Sequence, residues 1–229
     1  MDPEGIAQLM EDMDLALARM YNPEYKGASD DNPVDFTVRI TNNSFETGTT
    51  EGWTYNTAAS GDTGAKDNSN ATYTIENADG AYVFNTWNSS LPNGGFWVSQ
   101  TIKGLPAGTY QLDALMASDL GNTITLSAAN GTQDFVLDHE LNYATDGSII
   151  FTIAENEPVE IKASSQTWFK VDNFRLTYFG TESQKEPSAI AEIEVAKNAS
   201  SAIYNLSGQR IQTLRKGINI VDGKKILVK

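Results

Sequence analysis

The chain has no cysteine, a single histidine, and no apolar run that approaches the roughly 20 residues of a membrane span. Without cysteine there are no disulfides and no thiolate chemistry. His139, in Asp138-His139-Glu140, has no second histidine to share a zinc ion, and a serine or cysteine triad has almost nothing to recruit. Neither G-x-S-x-G, a P-loop nor H-E-x-x-H occurs. Bases are scarce as well: 16 Lys and Arg stand against 30 Asp and Glu, a formal net charge of −14. Nucleic acid is excluded as a partner on that balance, because neutralising phosphates takes clusters of Lys and Arg. The bases that exist gather late. Residues 181–229 hold eight bases and five acids, while residues 37–180 hold six and sixteen. The basic tail reads as hairpin edges guarded by lysine, or as a face for an anionic surface.

What is present is a β-rich composition, with 40% hydrophobic residues, 10% aromatics and abundant Gly, Asn, Ser and Thr. Residues 3–21 are the exception. Asp2 is a candidate N-cap, Pro3 sits at the first helical position, and Ile6, Leu9, Met10, Met13, Leu17 and Met20 repeat at the helical period. The expectation is an amphipathic helix within residues 1–27 whose apolar stripe docks on a neighbour. Met1-Asp2-Pro3-Glu4-Gly5 is not a signal peptide, so a secreted protein with this sequence is expected to have a natural start further upstream.

Residues 28–36 read as a linker. From there the pattern turns to short β runs: 37–41, 72–76, 81–87, 96–102, 108–117, 122–128, 133–137, 148–154, 158–163 and 167–178. Gly-, Asn- or Pro-bearing turns separate them and leave no room for crossover helices. The fold class predicted is mainly β, an antiparallel sandwich or jelly roll over residues 37–180. Residues 181–199 read as a second linker. In residues 200–229, SSAIYNLSGQRIQTLRKGINIVDGKKILVK, four β-prone runs alternate with Ser207-Gly208 and Asp222-Gly223 turn pairs, which predicts a small hairpin module.

That last segment resembles the small terminal β-module of secreted and surface proteins of Bacteroides-group bacteria. The resemblance implies an extracellular or cell-surface chain that belongs to a larger parent protein. Three stretches of the body carry a second resemblance. They are Asn42-Asn43-Ser44-Phe45-Glu46 with Gly52-Trp53, Gln100 running into Leu105-Pro106-Ala107-Gly108-Thr109-Tyr110, and Val171-Asp172-Asn173-Phe174-Arg175-Leu176. Together they resemble the landmarks of galactose-binding-like jelly rolls, among them carbohydrate-binding modules. Such modules often carry a structural Ca²⁺ held by a Glu and an Asp at the positions of Glu46 and Asp172. Calcium takes six to eight oxygens, carbonyls included, and residues 47–51 can supply some. The competing reading leaves Glu46 exposed and has Asp172 bond the backbone of a turn or bulge.

A sugar offers an apolar C–H face and a rim of hydroxyls, so an exposed aromatic ring takes the face while amides and carboxylates take the rim. The aromatic candidates are Tyr55, Tyr82, Trp87, Trp97 and Trp168. Trp87 shares a strand face with Asn85, and Trp97 shares one with Ser99 and Thr101, which makes this pair the first choice. Each ring has a competing place in the core, as do Trp53 and Tyr110, which read as core. Tyr110, Leu112, Ala114 and Met116 alternate onto one face. The function expected is carbohydrate binding without catalysis, in glycan capture. The alternatives are an adhesion or spacer domain of a surface protein, and a fragment of a glycoside hydrolase, which would need two carboxylates across one cleft.

Overall fold

The computed structural model describes residues 3–56, 62–139 and 142–188, together with the backbone of four short strands between 203 and 228. It divides the chain into two units, Met1–Ile190 and Ala191–Lys229. In the first, α1 (Pro3–Arg19) is followed by β1 (Val34–Asp35), a short 3-10 turn (Thr37–Arg39), β2 (Thr54–Tyr55), β3 (Asp62–Asp67), β4 (Tyr82–Trp87), β5 (Phe96–Ile102) and β6 (Gly108–Ala117). Then come β7 (Thr123–Ala128), β8 (Gly131–Val136), β9 (Thr145–Ile153), β10 (Val159–Ser165) and β11 (Lys170–Gly180).

These strands form two antiparallel sheets. One runs β3-β4-β11-β6-β9 with β1 also paired to β11; the other runs β2-β5-β10-β7-β8. From β4 onward the chain passes repeatedly between the sheets, so each buries its inner face against the other, as a jelly roll requires. The alternation read from the sequence is the one observed. Tyr110, Leu112, Ala114 and Met116 are all buried, opposite Val98, Leu126, Ile161 and Ala163 of the second sheet in one continuous core.

Four segments differ from the sequence reading. Residues 37–41 are not a strand, because Thr37–Arg39 turn as a 3-10 helix. Residues 72–76 form turns, held by Ile75 N–H donating to Asn68 Oδ1 and by the Thr74 hydroxyl donating to Asn68 O. The polar segment Asp62–Asp67, with no apolar alternation to mark it, is a six-residue strand on β4. Residues 34–36 are not free linker: Val34 and Asp35 pair with Tyr178 and Thr177, and Phe36 is fully buried. For Asp62–Asp67 and Val34–Asp35 the partner strand, rather than local propensity, decides; residues 37–39 and 72–76 are taken by local turns instead.

Helix α1 contributes nothing to the core. Ile6, Leu9, Met10, Met13 and Leu17 are all exposed, and its attachment is polar. The Arg39 guanidinium donates to Ala18 O and Asn22 Oδ1 at 2.5 Å and to Lys103 O at 2.7 Å, which satisfies a carbonyl at the helix C-terminus. At the other end of the unit, Ser188 bridges two strands: its N–H donates to Ile150 O and its carbonyl accepts from Thr132 N–H, both at 2.8 Å.

The second unit is a four-stranded antiparallel sheet of β12 (Ile203–Asn205), β13 (Arg210–Ile211), β14 (Gly217–Val221) and β15 (Lys224–Val228), in the order β13-β12-β14-β15. Val221 pairs with Lys224, so two residues separate the strands of that hairpin, as the Asp222-Gly223 pair predicts.

Burial ranks the expected effects of substitution. Phe174→Ala removes a ring packed on Phe45 and Trp53 and should cost about 3–5 kcal/mol in urea unfolding. Leu9→Gln with Met13→Gln should move the same transition by no more than about 0.5 kcal/mol per site, since neither side chain is covered. A large loss from the helix pair would mean that its apolar stripe is packed in solution.

Candidate functional site

The first and third landmark stretches meet at one place, and Gln100 of the second exchanges hydrogen bonds with Thr41 beside the first. Trp53 lies 4.7 Å from Phe174 and 5.2 Å from Phe45 between ring centroids, and its Nε1–H donates to Asn42 O at 3.0 Å. Asn43 Nδ2 donates to Phe174 O, and Phe174 N–H donates to Asn43 O. The Tyr110 hydroxyl donates to Pro106 O at 2.7 Å. Trp53 and Tyr110 are therefore core, as their sequence context predicts.

Glu46 and Asp172 flank this cluster. The Glu46 carboxylate accepts from Ala81 N–H and Tyr82 N–H at 2.8–3.0 Å. It sits so close over Gly80 that a Cβ there would fall 2.3 Å from Glu46 Oε2, and Gly80 has φ +90°. Asp172 is fully buried. Its Oδ2 accepts from Asp79 N–H at 2.7 Å, while its Oδ1 has no partner. Burial pushes the Asp172 carboxyl up to about 7. Backbone N–H groups of Asp79 and Asn173 oppose that rise, and the charges of Asp79 and Glu46 add to it. The structure thus brings the two acids into one electrostatic neighbourhood. Among the described residues no group of three or more His, Cys, Asp or Glu is set to hold a metal ion.

A cavity of about 560 Å³ opens elsewhere on the first unit, within the range of small-ligand sites. Its aromatic lining is Trp87, at the end of β4, Trp168, in the turn before β11, and Tyr73; Asn85, Asp62, Asp119 and Asn142 supply further polar groups. Trp87 is 44% exposed. Trp168 is fixed, because its Nε1–H donates to Asp119 Oδ2 at 3.2 Å. Asn85 is buried, and its amide donates to Asp62 O. Asp62 takes an ion pair from Lys66 at 2.5 Å and a hydrogen bond from the Tyr73 hydroxyl. Burial raises the Asp62 carboxyl, but those two donors outweigh it and hold the group below the usual carboxylate range. An ion pair this exposed is worth at most about 1 kcal/mol, so its effect is to fix an anion in place rather than to stabilise the fold.

Lys170 underlies the cavity. It is fully buried, and its ammonium donates to Thr74 O at 2.6 Å and Asn142 Oδ1 at 3.0 Å. It ties two cavity loops, one before β4 and one before β9, to the first residue of β11. Desolvation pulls its pKa down to about 8.

Of the aromatic and amide residues expected at a sugar site, Trp87, Trp168 and Asn85 line this cavity. Trp97 does not. It lies on β5 in the other sheet, half-buried, with the Lys162 ammonium 5.2 Å from its ring. Trp87 and Trp97, first choice as a pair, are therefore on separate sheets. Tyr55 and Tyr82 pack against the core, Tyr55 with its ring 5.3 Å from Phe84. Asp62, Tyr73, Asp119 and Asn142 were missed, because polar loop residues show no periodicity. Only the Asp119-to-Asn122 turn composition offered a signal.

No family model matches the chain, and no curated relative does. Solved structures do. A family 61 carbohydrate-binding module in complex with β-1,4-galactotriose is 22% identical over 60% of this chain and 96% of its own, with a TM-score of 0.43. The CBM22-1 and GH10 modules of a Clostridium thermocellum xylanase, complexed with xylohexaose, match at 16% identity over 64% of this chain and 29% of theirs, TM-score 0.42. A family 35 carbohydrate-binding module from the same organism matches at 13% over 65% and 98%, TM-score 0.35. Likenesses this distant leave the ligand to be argued from the cavity itself.

Gly80 offers a direct check on the local design. Gly80→Ala places a methyl in the Glu46 carboxylate at a positive φ, and should destabilise the first unit by about 2 kcal/mol or more by denaturant titration. A neutral result would mean that Glu46 does not sit over this turn.

Proposed function

We propose that the chain is a carbohydrate-binding module that holds a glycan at the Trp87–Trp168 cavity without cleaving it. One observation carries the reading: two indoles share a cavity with anchored amides and carboxylates. An indole takes the C–H face of a pyranose, and Asn85, Asn142, Asp62 and Asp119 are the kinds of group that accept from or donate to hydroxyls. A neutral sugar also suits a site whose lining, among the described residues, carries acids and no base, in a chain of net charge −14. The small C-terminal sheet and its resemblance support a place in a larger, secreted or surface-exposed protein. Among the described residues no helix is long and apolar enough to cross a membrane.

The bond between Trp168 Nε1 and Asp119 fixes that indole before any ligand arrives, which lowers the ordering cost of binding. Trp87→Ala and Trp168→Ala should each weaken glycan binding by tenfold or more in isothermal titration, with the melting temperature of the partly exposed Trp87 variant near that of the wild type. Release of reducing sugar from any polysaccharide by the purified chain would overturn the non-catalytic reading.

For the ion, the unpartnered Asp172 Oδ1 in the field of Glu46 and Asp79 supports a Ca²⁺ held by Asp172 and Glu46. Backbone carbonyls would have to complete the shell, since calcium takes six or more oxygens. A bound cation would neutralise a carboxylate that burial otherwise penalises. The expected result is a melting temperature that rises with CaCl₂ and falls with EDTA, and a flat response in Asp172→Asn. Identical wild-type melts with and without EDTA would remove calcium from the account.

A further inference from the structure

A second cavity, of about 420 Å³, is lined by Gly121, Asn122, Thr123, Thr125, Asp134 and Ser164 to Thr167. Among the described residues it has no aromatic wall and no cation. Its chemistry is hydroxyl and amide with one carboxylate, and much of that capacity is unspent. Among the described residues, the Ser164 and Thr123 hydroxyls and the Gln166 amide make no hydrogen bond within the protein. The Thr125 hydroxyl engages only one oxygen of Asp134, at 2.6 Å.

The strand register explains why these groups stand together. Ser164 pairs with Thr125, and Thr125 pairs with Asp134, so the three lie side by side on one face across β10, β7 and β8. The neighbouring positions Ala163 and Leu126 face the core, so this row faces outward. On β5 the row ends at Trp97, directly opposite Ser164.

The two cavities are neighbours along two loops. Asp119 lines the first and Gly121 to Thr123 the second; Trp168 lines the first and Ser165 to Thr167 the second. The hydrogen bond from Trp168 to Asp119 joins these loops, and Ser165 Oγ donating to Thr123 O at 2.6 Å joins them again. A ligand seated against Trp168 therefore has an adjoining polar hollow built from the same two segments.

We propose that the second cavity is a subsite for a further sugar residue of the glycan, so that the ligand is an oligosaccharide chain and not a single monosaccharide. This rests on the carbohydrate reading of the first cavity. The first cavity grips a ring by its face; the second reads a hydroxyl edge through Ser164, Thr125, Asp134 and Gln166. Among the described residues no base lines it, which disfavours a phosphate or a uronate there and favours a neutral residue.

The test is isothermal titration of the full chain with matched pairs: xylose and xylohexaose, glucose and cellohexaose, galactose and β-1,4-galactotetraose. The wild type should bind one hexaose or tetraose at least tenfold more tightly than its monosaccharide. Thr125→Val with Ser164→Ala should lose about tenfold on that oligosaccharide, the scale of one or two hydrogen bonds, and leave the monosaccharide unchanged. Gln166→Ala, in an exposed loop, is the companion variant should the strand pair fail to fold, and should lose severalfold in the same selective way. Trp168→Ala should lose both ligands. Equal affinity for monosaccharide and oligosaccharide, or oligosaccharide binding unchanged in folded variants, would overturn the second subsite and leave the first intact. No binding of any probe by the wild type would overturn both.

Discussion

The rest of the structure depends on how β11 is paired. It lies between β4 and β6, but its register with β6 slips between Asp172 and Arg175, where Asn173 adopts φ +51°. Before that irregularity its other neighbour is β4, through Lys170 and Val171; after it the neighbour is β1, through Thr177 and Tyr178. The gap between those two partners must be filled, because a central strand cannot leave buried N–H and C=O groups unpaired. The loop Asn42–Glu46 fills it, with Asn43 exchanging hydrogen bonds with Phe174 and Phe45 packing beside Trp53. Asp172 lies inside the same irregularity. Its one satisfied and one unsatisfied oxygen mark the place where the ladder is interrupted.

The strand also positions the Trp87–Trp168 cavity. Its first residue, Lys170, reaches the loops that carry Tyr73 and Asn142, and the turn just before it carries Trp168. Phe169 exchanges hydrogen bonds with Thr86 of β4, which sets Trp168 and Trp87 in a fixed relation through the backbone. The cavity is lined by strand ends and loops at the rim, while the strands beneath them are buried on the core side. A rigid sandwich with functional groups at its rim can change ligand without changing fold.

Polar anchoring is what prepares the rim. Asp62 is held by Lys66 and Tyr73, and Trp168 by Asp119. Each bond is individually modest in stability, yet each removes a rotamer choice that a ligand would otherwise have to settle. In the neighbouring hollow the hydroxyls of Ser164 and Thr123 are left without such anchors, and hydroxyls can rotate to suit a partner.

The sequence by itself determined the sandwich, because strand-length apolar alternation separated by turn residues admits little else. It also determined that Trp53 and Tyr110 are core, from the strand and turn around them. It excluded thiol chemistry, because the chain has no cysteine. It named Trp87, Trp168 and Asn85, which share a cavity, but set Trp87 beside Trp97, which lies on the other sheet, since alternation gives the face of a strand and not the sheet to which the strand belongs. Asp62–Asp67 was illegible as a strand because its pairing to β4, not its own side chains, makes it one. The tertiary structure alone decided which polar residues share a cavity. Asp62, Asn142 and Asp119 lie on separate segments with no periodic signature, and they meet only because the two sheets and the irregularity in β11 bring those loops to one rim.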